Sequence, residues 1–178
     1  MELKELTEKT LEIFQVDSTG ELSIKMFDIE MKNDVEYYKK FKELVKDLSI
    51  DWLQKIFQYY QADRVEKKQD YTPKSLASLI ARLADMENEA KNTIDMCAGS
   101  GSLTIQKWNL NHNQVFMLYE LDENVIPYLI FNMAIRNISC VISRADVLKQ
   151  EVYKTWRITK GEEFGIVKEV GNSECANF

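Results

Sequence analysis

The run Asp95-Met96-Cys97-Ala98-Gly99-Ser100-Gly101-Ser102-Leu103 has the residue types of a ligand-binding turn. It follows a short buried-strand pattern, Thr93-Ile94-Asp95-Met96, and leads into a helix-forming stretch from about Leu103 to Leu110. Glycines between a strand and a helix let the backbone turn tightly and approach a ligand without a Cβ in the way, at the edge where open α/β sheets bind nucleotides. Glu120 follows Asp95 by 25 residues, after the β-rich run Val115-Phe116-Met117-Leu118-Tyr119. That is close to the spacing at which an acidic group meets a ribose diol. A dinucleotide site needs a third glycine to pack its helix and seat a pyrophosphate, whereas Gly101 is followed by Ser102, Leu103 and Thr104. NAD and FAD are disfavoured on that ground. A carboxylate at Asp95, where a phosphate would otherwise sit, suits a ligand with a positive ammonium group.

The elements that must position these residues read as follows. Residues 1–68 are helical in pattern: Leu3, Leu6, Thr10, Ile13 and Phe14 fall at helical spacing, and Asp17-Ser18-Thr19-Gly20 forms a break whose glycine suits a left-handed position. A second periodic stretch starts near Asn33, with Val35, Tyr38, Phe41, Leu44, Val45 and Leu48 on one face. A new start at Ser49 leads to Trp52, Leu53, Ile56, Phe57 and Tyr60. These stripes read as core packing. Residues 69–170 then alternate helix and strand. Thr72 before Pro73 has the form of an N-cap followed by proline at the first helical position, and Leu76, Leu79, Ile80 and Leu83 make the apolar face of that helix. After Glu120 come a helix from Asn124 to Arg136, a strand Cys140-Val141-Ile142-Ser143 ending near Asp146, and a further strand at Phe164-Gly165-Ile166-Val167. Helices alternating with strands imply right-handed crossovers and a parallel, doubly wound α/β sheet, followed by a frayed tail over 171–178.

S-adenosylmethionine carries an ammonium group and no phosphate, and at this point a resemblance becomes specific. The segment from about Lys67 to Lys149 resembles the N6-adenine DNA methylase family, most closely the modification subunits of type I restriction systems. Gln69-Asp70-Tyr71-Thr72-Pro73 is similar to the family's Gln-Phe-Tyr-Thr-Pro element. Asp95 through Gly101 is similar to its Asp-Pro-x-x-Gly-Ser-Gly loop, with Met96 in place of the proline, and Tyr119-Glu120-Leu121-Asp122 to its ribose-binding element. Asn132-Met133-Ala134-Ile135-Arg136-Asn137-Ile138 resembles an Asn-Met-x-Leu-x-Gly-Ile run, and Arg144-Ala145-Asp146-Val147-Leu148 a Gly-Asp-x-Leu element. The resemblance implies a Rossmann-like class I methyltransferase fold, incomplete here. It also implies S-adenosylmethionine held by Tyr71, Thr72, Pro73, Asp95, Cys97, Ala98, Gly99, Ser100, Gly101, Leu103, Glu120, Leu121, Asp146 and Val147. In that scheme Thr72 contacts the methionine part, Glu120 the ribose hydroxyls and Asp146 the adenine amino group. Each residue also has a bland use: Asp95 and Thr72 as helix caps, Asp146 as a strand-end turn residue, Glu120 as a solvated acid.

The family's fourth strand ends in Asn or Asp, then Pro, Pro, and Tyr or Phe, a tetrapeptide that orients the base's amino group and stacks on the flipped base. The two prolines here, Pro73 and Pro127, both precede Asp146, so no such tetrapeptide follows it. Asn172, Tyr153 and Trp156 are too weakly placed to stand in. The chain stops about where the second half of the sheet and a target-recognition domain would follow. Two readings stay open: a DNA adenine-N6 methyltransferase-like protein completed by a partner, or a catalytically silent accessory module of a restriction-modification system. A methyltransferase for a small molecule or protein ranks third.

Totals constrain the partners. A chain of 178 residues with 45% hydrophobic and 29% charged residues is ordinary for one soluble domain, and no apolar run approaches the roughly 20 residues of a membrane span. The charged N-terminus directs nothing to secretion, and cytoplasm is the expected compartment. A net charge of -6 works against a stand-alone nucleic-acid binder, so DNA as substrate calls for a partner protein, a modification or specificity subunit, to help hold it. Cys97, Cys140 and Cys175 are too scattered for a disulfide framework or zinc site, and the single His112 sits in a surface-turn pattern, so no metal is expected.

Overall fold

The computed structural model describes residues 1–63, 65–66, 71–86 and 92–171. Four helices come first: α1 (Leu3–Phe14), α2 (Thr19–Lys32), α3 (Val35–Val45) and α4 (Trp52–Tyr60). They are followed by α5 (Lys74–Met86), β1 (Asn92–Asp95), α6 (Ser102–Leu110), β2 (Val115–Glu120), α7 (Ile126–Ile135), β3 (Cys140–Asp146), β4 (Glu151–Thr159) and β5 (Ile166–Val170). Carboxylates start two of the helices. Asp34 accepts a hydrogen bond from the Glu36 backbone at the head of α3, and Asp51 from that of Gln54 at the head of α4, each satisfying a backbone donor that the helix cannot.

The break expected at Asp17–Gly20 is shorter than its composition suggests. Gly20 lies inside α2, and the left-handed residue that ends α1 is Gln15, with φ 57°. Helix α2 itself escaped the periodicity because its buried face mixes Leu22, Met26 and Ile29 with Ser23 and Glu30. The start expected at Ser49 falls at Asp51 instead.

Every residue of α7 is buried, which explains its nearly continuous apolar sequence. One side meets the sheet through β3 and β5 and the other is covered by α2 and α4. Phe131 is the contact point, with ring centroids 5.3 Å from Phe14 of α1, and 4.8 and 5.5 Å from Tyr38 and Phe41 of α3. The N-terminal helices therefore share one hydrophobic core with the sheet.

The sheet runs β1-β2-β3-β4-β5. β1, β2 and β3 are parallel, joined through α6 and α7 as expected. The expectation of a parallel sheet fails beyond β3, because β4 runs antiparallel to β3 and β5 antiparallel to β4. The cause is chain length: residues 147–150 are too few for a crossover, which takes about a dozen residues, and permit only a hairpin-like return. β4 was also missed as a strand, while the strand expected at Phe164–Val167 appears slightly later as β5. Register aligns Phe116, Cys140, Ile158 and Val167 in one row and Leu118, Ile142 and Trp156 in the next, all within the helical core. Asn33 at the end of α2 pairs its amide with both the N–H and C=O of Val167 and so covers part of β5.

Helix α5 departs from its own pattern. Its apolar residues Leu76, Leu79, Ile80 and Leu83 are 37–56% exposed, and the small Ala77 and Ala81 are the buried ones. The closest packing partner of α5 is α6. Lys39 pairs with Glu36 at 2.8 Å on a solvated face. Lys67, Lys68, Gln69, Asp70, Asn172 and Cys175 lie outside the described residues. No helix among the described residues is long and apolar enough to cross a membrane.

Glu30 lies wholly inside the helical layer, and among the described residues neither its oxygens nor the nearby Tyr38 hydroxyl meet a hydrogen-bond partner of normal geometry. Burial raises its carboxyl well above the ordinary 4.5. The folded chain thus holds a proton that the unfolded chain releases, so this contribution to stability is whole below about pH 4.5 and falls as pH rises through the folded value. Denaturant titrations at several pH values should show Glu30→Gln flattening that decline and stabilising the chain on the alkaline side.

Candidate functional site

Because β1, β2 and β3 are parallel, their last residues Asp95, Glu120 and Asp146 reach the same edge of the sheet. The loop between β1 and α6 is tied to that edge at several points. Ala98 N–H donates to the Tyr119 carbonyl at 3.0 Å, and Gly99 N–H to Glu120 Oε2 at 2.8 Å. Glu120 Oε1 accepts from the backbones of Leu121 and Asp122, both at 2.8 Å. A carboxylate has about four acceptor positions, so three backbone donors orient Glu120 and leave room for a hydroxyl.

Asp95 accepts from Cys97 N–H at 3.2 Å and from Thr104 Oγ1 at 3.3 Å. Burial raises its carboxyl above the ordinary value, against the pull of these two donors. Among the described residues no cation pairs with it, and a positively charged ligand would relieve that cost. Burial likewise raises the Cys97 thiol, helped by Glu120 and Asp95, so Cys97 is no activated nucleophile.

The loop conformation depends on its glycines. Gly99 has φ +55°, and a Cβ there would lie 3.3 Å from the Tyr71 ring. Gly101 has φ +94°, and its Cβ would come within 2.6 Å of Met133 Cε and 2.9 Å of Leu129 Cδ1 on α7. Tyr71 packs edge-on against Phe57 of α4 at 5.9 Å. The Thr72 carbonyl accepts from Gln54 Nε2 at 3.3 Å, and the Pro73 carbonyl accepts the Ala77 N–H, which puts Pro73 at the cap position of α5 rather than the first helical one.

The residue that organises this loop from below was not among the sequence candidates. Asp51, 5% exposed, accepts from Ser100 Oγ at 2.6 Å, Ser102 Oγ at 2.7 Å, Asn132 Nδ2 at 2.9 Å and Gln54 N–H at 2.9 Å. Asn132 Nδ2 also donates to the Ser100 carbonyl at 2.8 Å. The oxygen of Asn132 accepts from Arg136, whose remaining donors reach the carbonyls of Leu48, Ile50 and Asn132, all at 2.8 Å. Burial lowers the Arg136 guanidinium to about 10, with Asp51 and Asp47 holding it up, so it stays charged at neutral pH. The signal for Asp51 was present as an acid directly before the apolar stripe Trp52, Leu53, Ile56 and Phe57. Its contacts 49, 51 and 81 residues away left no local trace.

Among the described residues Asp146 and Val147 share no side-chain hydrogen bond or ion pair with this group. Asp146 bonds within its own turn, to Lys149 N–H and Nζ at 3.1 Å each, and these bonds lower its carboxyl. Leu121 is 52% exposed beside Glu120, and Leu103 lines a cleft of about 190 Å³ with Asp95, Met96 and Ile80. A second cleft of about 250 Å³ joins Tyr71 and Pro73 to Asp51, Gln54 and Ser102. His112 is exposed and its ring lies 4.2 Å from Trp108. Tyr153 and Trp156 fall on β4, where Trp156 is buried against Phe27. Among the described residues no group of His, Cys, Asp and Glu is placed to hold a metal ion.

The donor set fits a cationic nucleoside better than a dinucleotide. The edge presents carboxylates from three strands, and the start of α6, where a pyrophosphate would seat, is occupied by the Asp51 carboxylate. Gly101→Ala should destabilise the chain by about 1–3 kcal/mol, from the disfavoured positive φ and the contact with α7. Urea unfolding checks this, and a loss below about 0.5 kcal/mol would mean that the α6–α7 contact relaxes freely.

A comparison with protein families matches the description N-6 DNA Methylase over residues 44–167, about seven-tenths of the chain. No curated protein and no solved structure matches. The matched segment runs from the end of α3 through Asp51, the glycine loop and the three strand-end acids into β5. This chain belongs to the N-6 DNA methylase family.

Proposed function

We propose that this chain binds S-adenosylmethionine across the carboxyl ends of β1, β2 and β3, as the cofactor-holding part of an adenine-N6 DNA methyltransferase of the restriction-modification type. The observation that supports the reading is the loop whose Gly99 N–H is bonded to Glu120 while Asp95, buried beside it, meets no counter-cation among the described residues. Glu120 would take the ribose hydroxyls, Asp95 the ammonium group and Asp146 the adenine amino group, after release from its own turn. Tyr71, Thr72 and Pro73 would close the methionine end, with Cys97, Ala98, Ser100 and Leu103 as the surrounding wall. When bound, the cofactor supplies an electrophilic methyl group.

On the acceptor side, transfer to adenine needs groups that hold the amino nitrogen in line with the methyl, since positioning provides most of the acceleration. The Asn/Asp-Pro-Pro-Tyr/Phe element that would do so does not occur after Asp146 in this sequence. Those groups would then come from beyond residues 1–178, with a modification or specificity subunit that also holds the DNA as the source this reading favours. The missing element equally favours a second reading, a catalytically silent accessory module. A DNA methylation assay on the assembled complex separates the two: transfer that depends on this chain's Asp95 supports the first, and transfer indifferent to it supports the second.

Calorimetric titration with S-adenosylmethionine tests the cofactor site directly. Asp95→Asn keeps the shape and an acceptor for the Cys97 N–H, sets an amide donor against the Thr104 hydroxyl, which can turn to accept, and removes the charge. Binding by the natural chain, weakened about 10- to 100-fold by Asp95→Asn, is the expected result. Equal affinity in both would refute the role given to Asp95, and no binding by the natural chain would refute the cofactor reading.

A further inference from the structure

The N-terminal helices reach the glycine loop at a buried carboxylate, Asp51. Ser100, 1% exposed, is held at both ends: its hydroxyl donates to Asp51 and its carbonyl accepts from Asn132. On either side stand Gly99 and Gly101, both at positive φ. Glycine is the residue with most backbone freedom to lose, so a Gly-Ser-Gly turn left to itself would sample many shapes. The shape it holds presents the Gly99 N–H to Glu120. Pinning the central serine removes that freedom before any ligand arrives, which is how preorganisation raises affinity. Ser102 adds a second tie, with Oγ 2.7 Å from Asp51 and 2.8 Å from Gln54 Oε1.

We propose that Asp51 is a positioning residue for cofactor binding. Through Ser100 and Ser102 it holds the glycine loop in its binding shape, so the N-terminal helical layer sets the affinity of a site to which it lends no direct ligand contact. The charge required for this is balanced at a distance: Asn132 accepts from buried Arg136 with one end of its amide and donates to Asp51 with the other. A neutral residue could fill the space at position 51, but only a group with two acceptor oxygens meets all four donors in this arrangement.

The inference rests on the cofactor reading for its affinity arm and is independent of it for its loop arm. Both are measured on the full chain, by hydrogen exchange of the Gly99 and Gly101 amides without ligand and by calorimetry with S-adenosylmethionine. Asp51→Ala should speed loop exchange about 10-fold while β3 and β4 keep their natural rates, and should weaken binding about 10-fold. Asp51→Asn, whose amide can donate to the two serine hydroxyls, should restore part of both. Ser100→Ala leaves Asp51 with three of its donors and serves as the milder variant where Asp51→Ala fails to fold. Loop exchange at the natural rate in a folded Asp51→Ala or Ser100→Ala overturns the proposal, as does faster exchange with unchanged affinity. No binding by the natural chain overturns the cofactor reading instead, and the exchange rates then decide whether Asp51 holds the loop.

Discussion

A carboxylate taken out of water must be met by donors on most of its acceptor positions, because an unmet one costs several kcal/mol. Asp51 satisfies that requirement with four donors drawn from α4, the glycine loop and α7. The same demand fixes three elements against each other: α4 cannot shift without losing its cap, the loop cannot open without freeing Ser100, and α7 cannot rotate without taking Asn132 away. Arg136 extends the constraint to the connection before α4 through the carbonyls of Leu48 and Ile50. A network of this kind is worth having only when complete, since a half-satisfied one costs more than an apolar contact would.

Around this polar centre the apolar packing is arranged in layers. The sheet contributes one face, α7 lies on it wholly buried, and the N-terminal helices close over α7 through Phe14, Tyr38 and Phe41 around Phe131. An element buried on both sides can be apolar all round, whereas the helices outside it need only a stripe. Glu30 is the exception within the layer, a carboxyl kept neutral by its surroundings. On the far side, β1 is hydrogen-bonded only to β2 among the described residues, and Ile94 and the stripe of α5 stay exposed. The end of β1 that carries Asp95 thus adjoins an exposed apolar surface.

The chain belongs to the N-6 DNA methylase family, and its strand-end acids Asp95, Glu120 and Asp146 share one edge of the sheet. The antiparallel return of β4 along β3 distinguishes this sheet from one that is parallel throughout. Its physical origin is the four-residue connection after Asp146, which turns the chain back before a helix can form. The edge that carries Asp95, Glu120 and Asp146 is unaffected, because it is set by the three parallel strands alone.

What the sequence by itself determined is whatever depends on neighbours along the chain. The alternation from β1 to β3, the glycine turn and the spacing of Glu120 from Asp95 were legible because strand period, turn residues and crossover length are local properties. The periodicity of α1, α3 and α4 was legible for the same reason, while α2 was hidden by the Ser23 and Glu30 on its buried face. Only the tertiary structure decided which apolar stripes face inward: α5 has as clear a stripe as any helix, yet Ala77 and Ala81 turn inward and its leucines face out. It also decided the role of Asp51, whose cap pattern can be read locally but whose bonds to Ser100, Ser102 and Asn132 span 49 to 81 residues. Contacts over such distances exist only once the layers are packed, because nothing in the local sequence brings their ends together before the core forms.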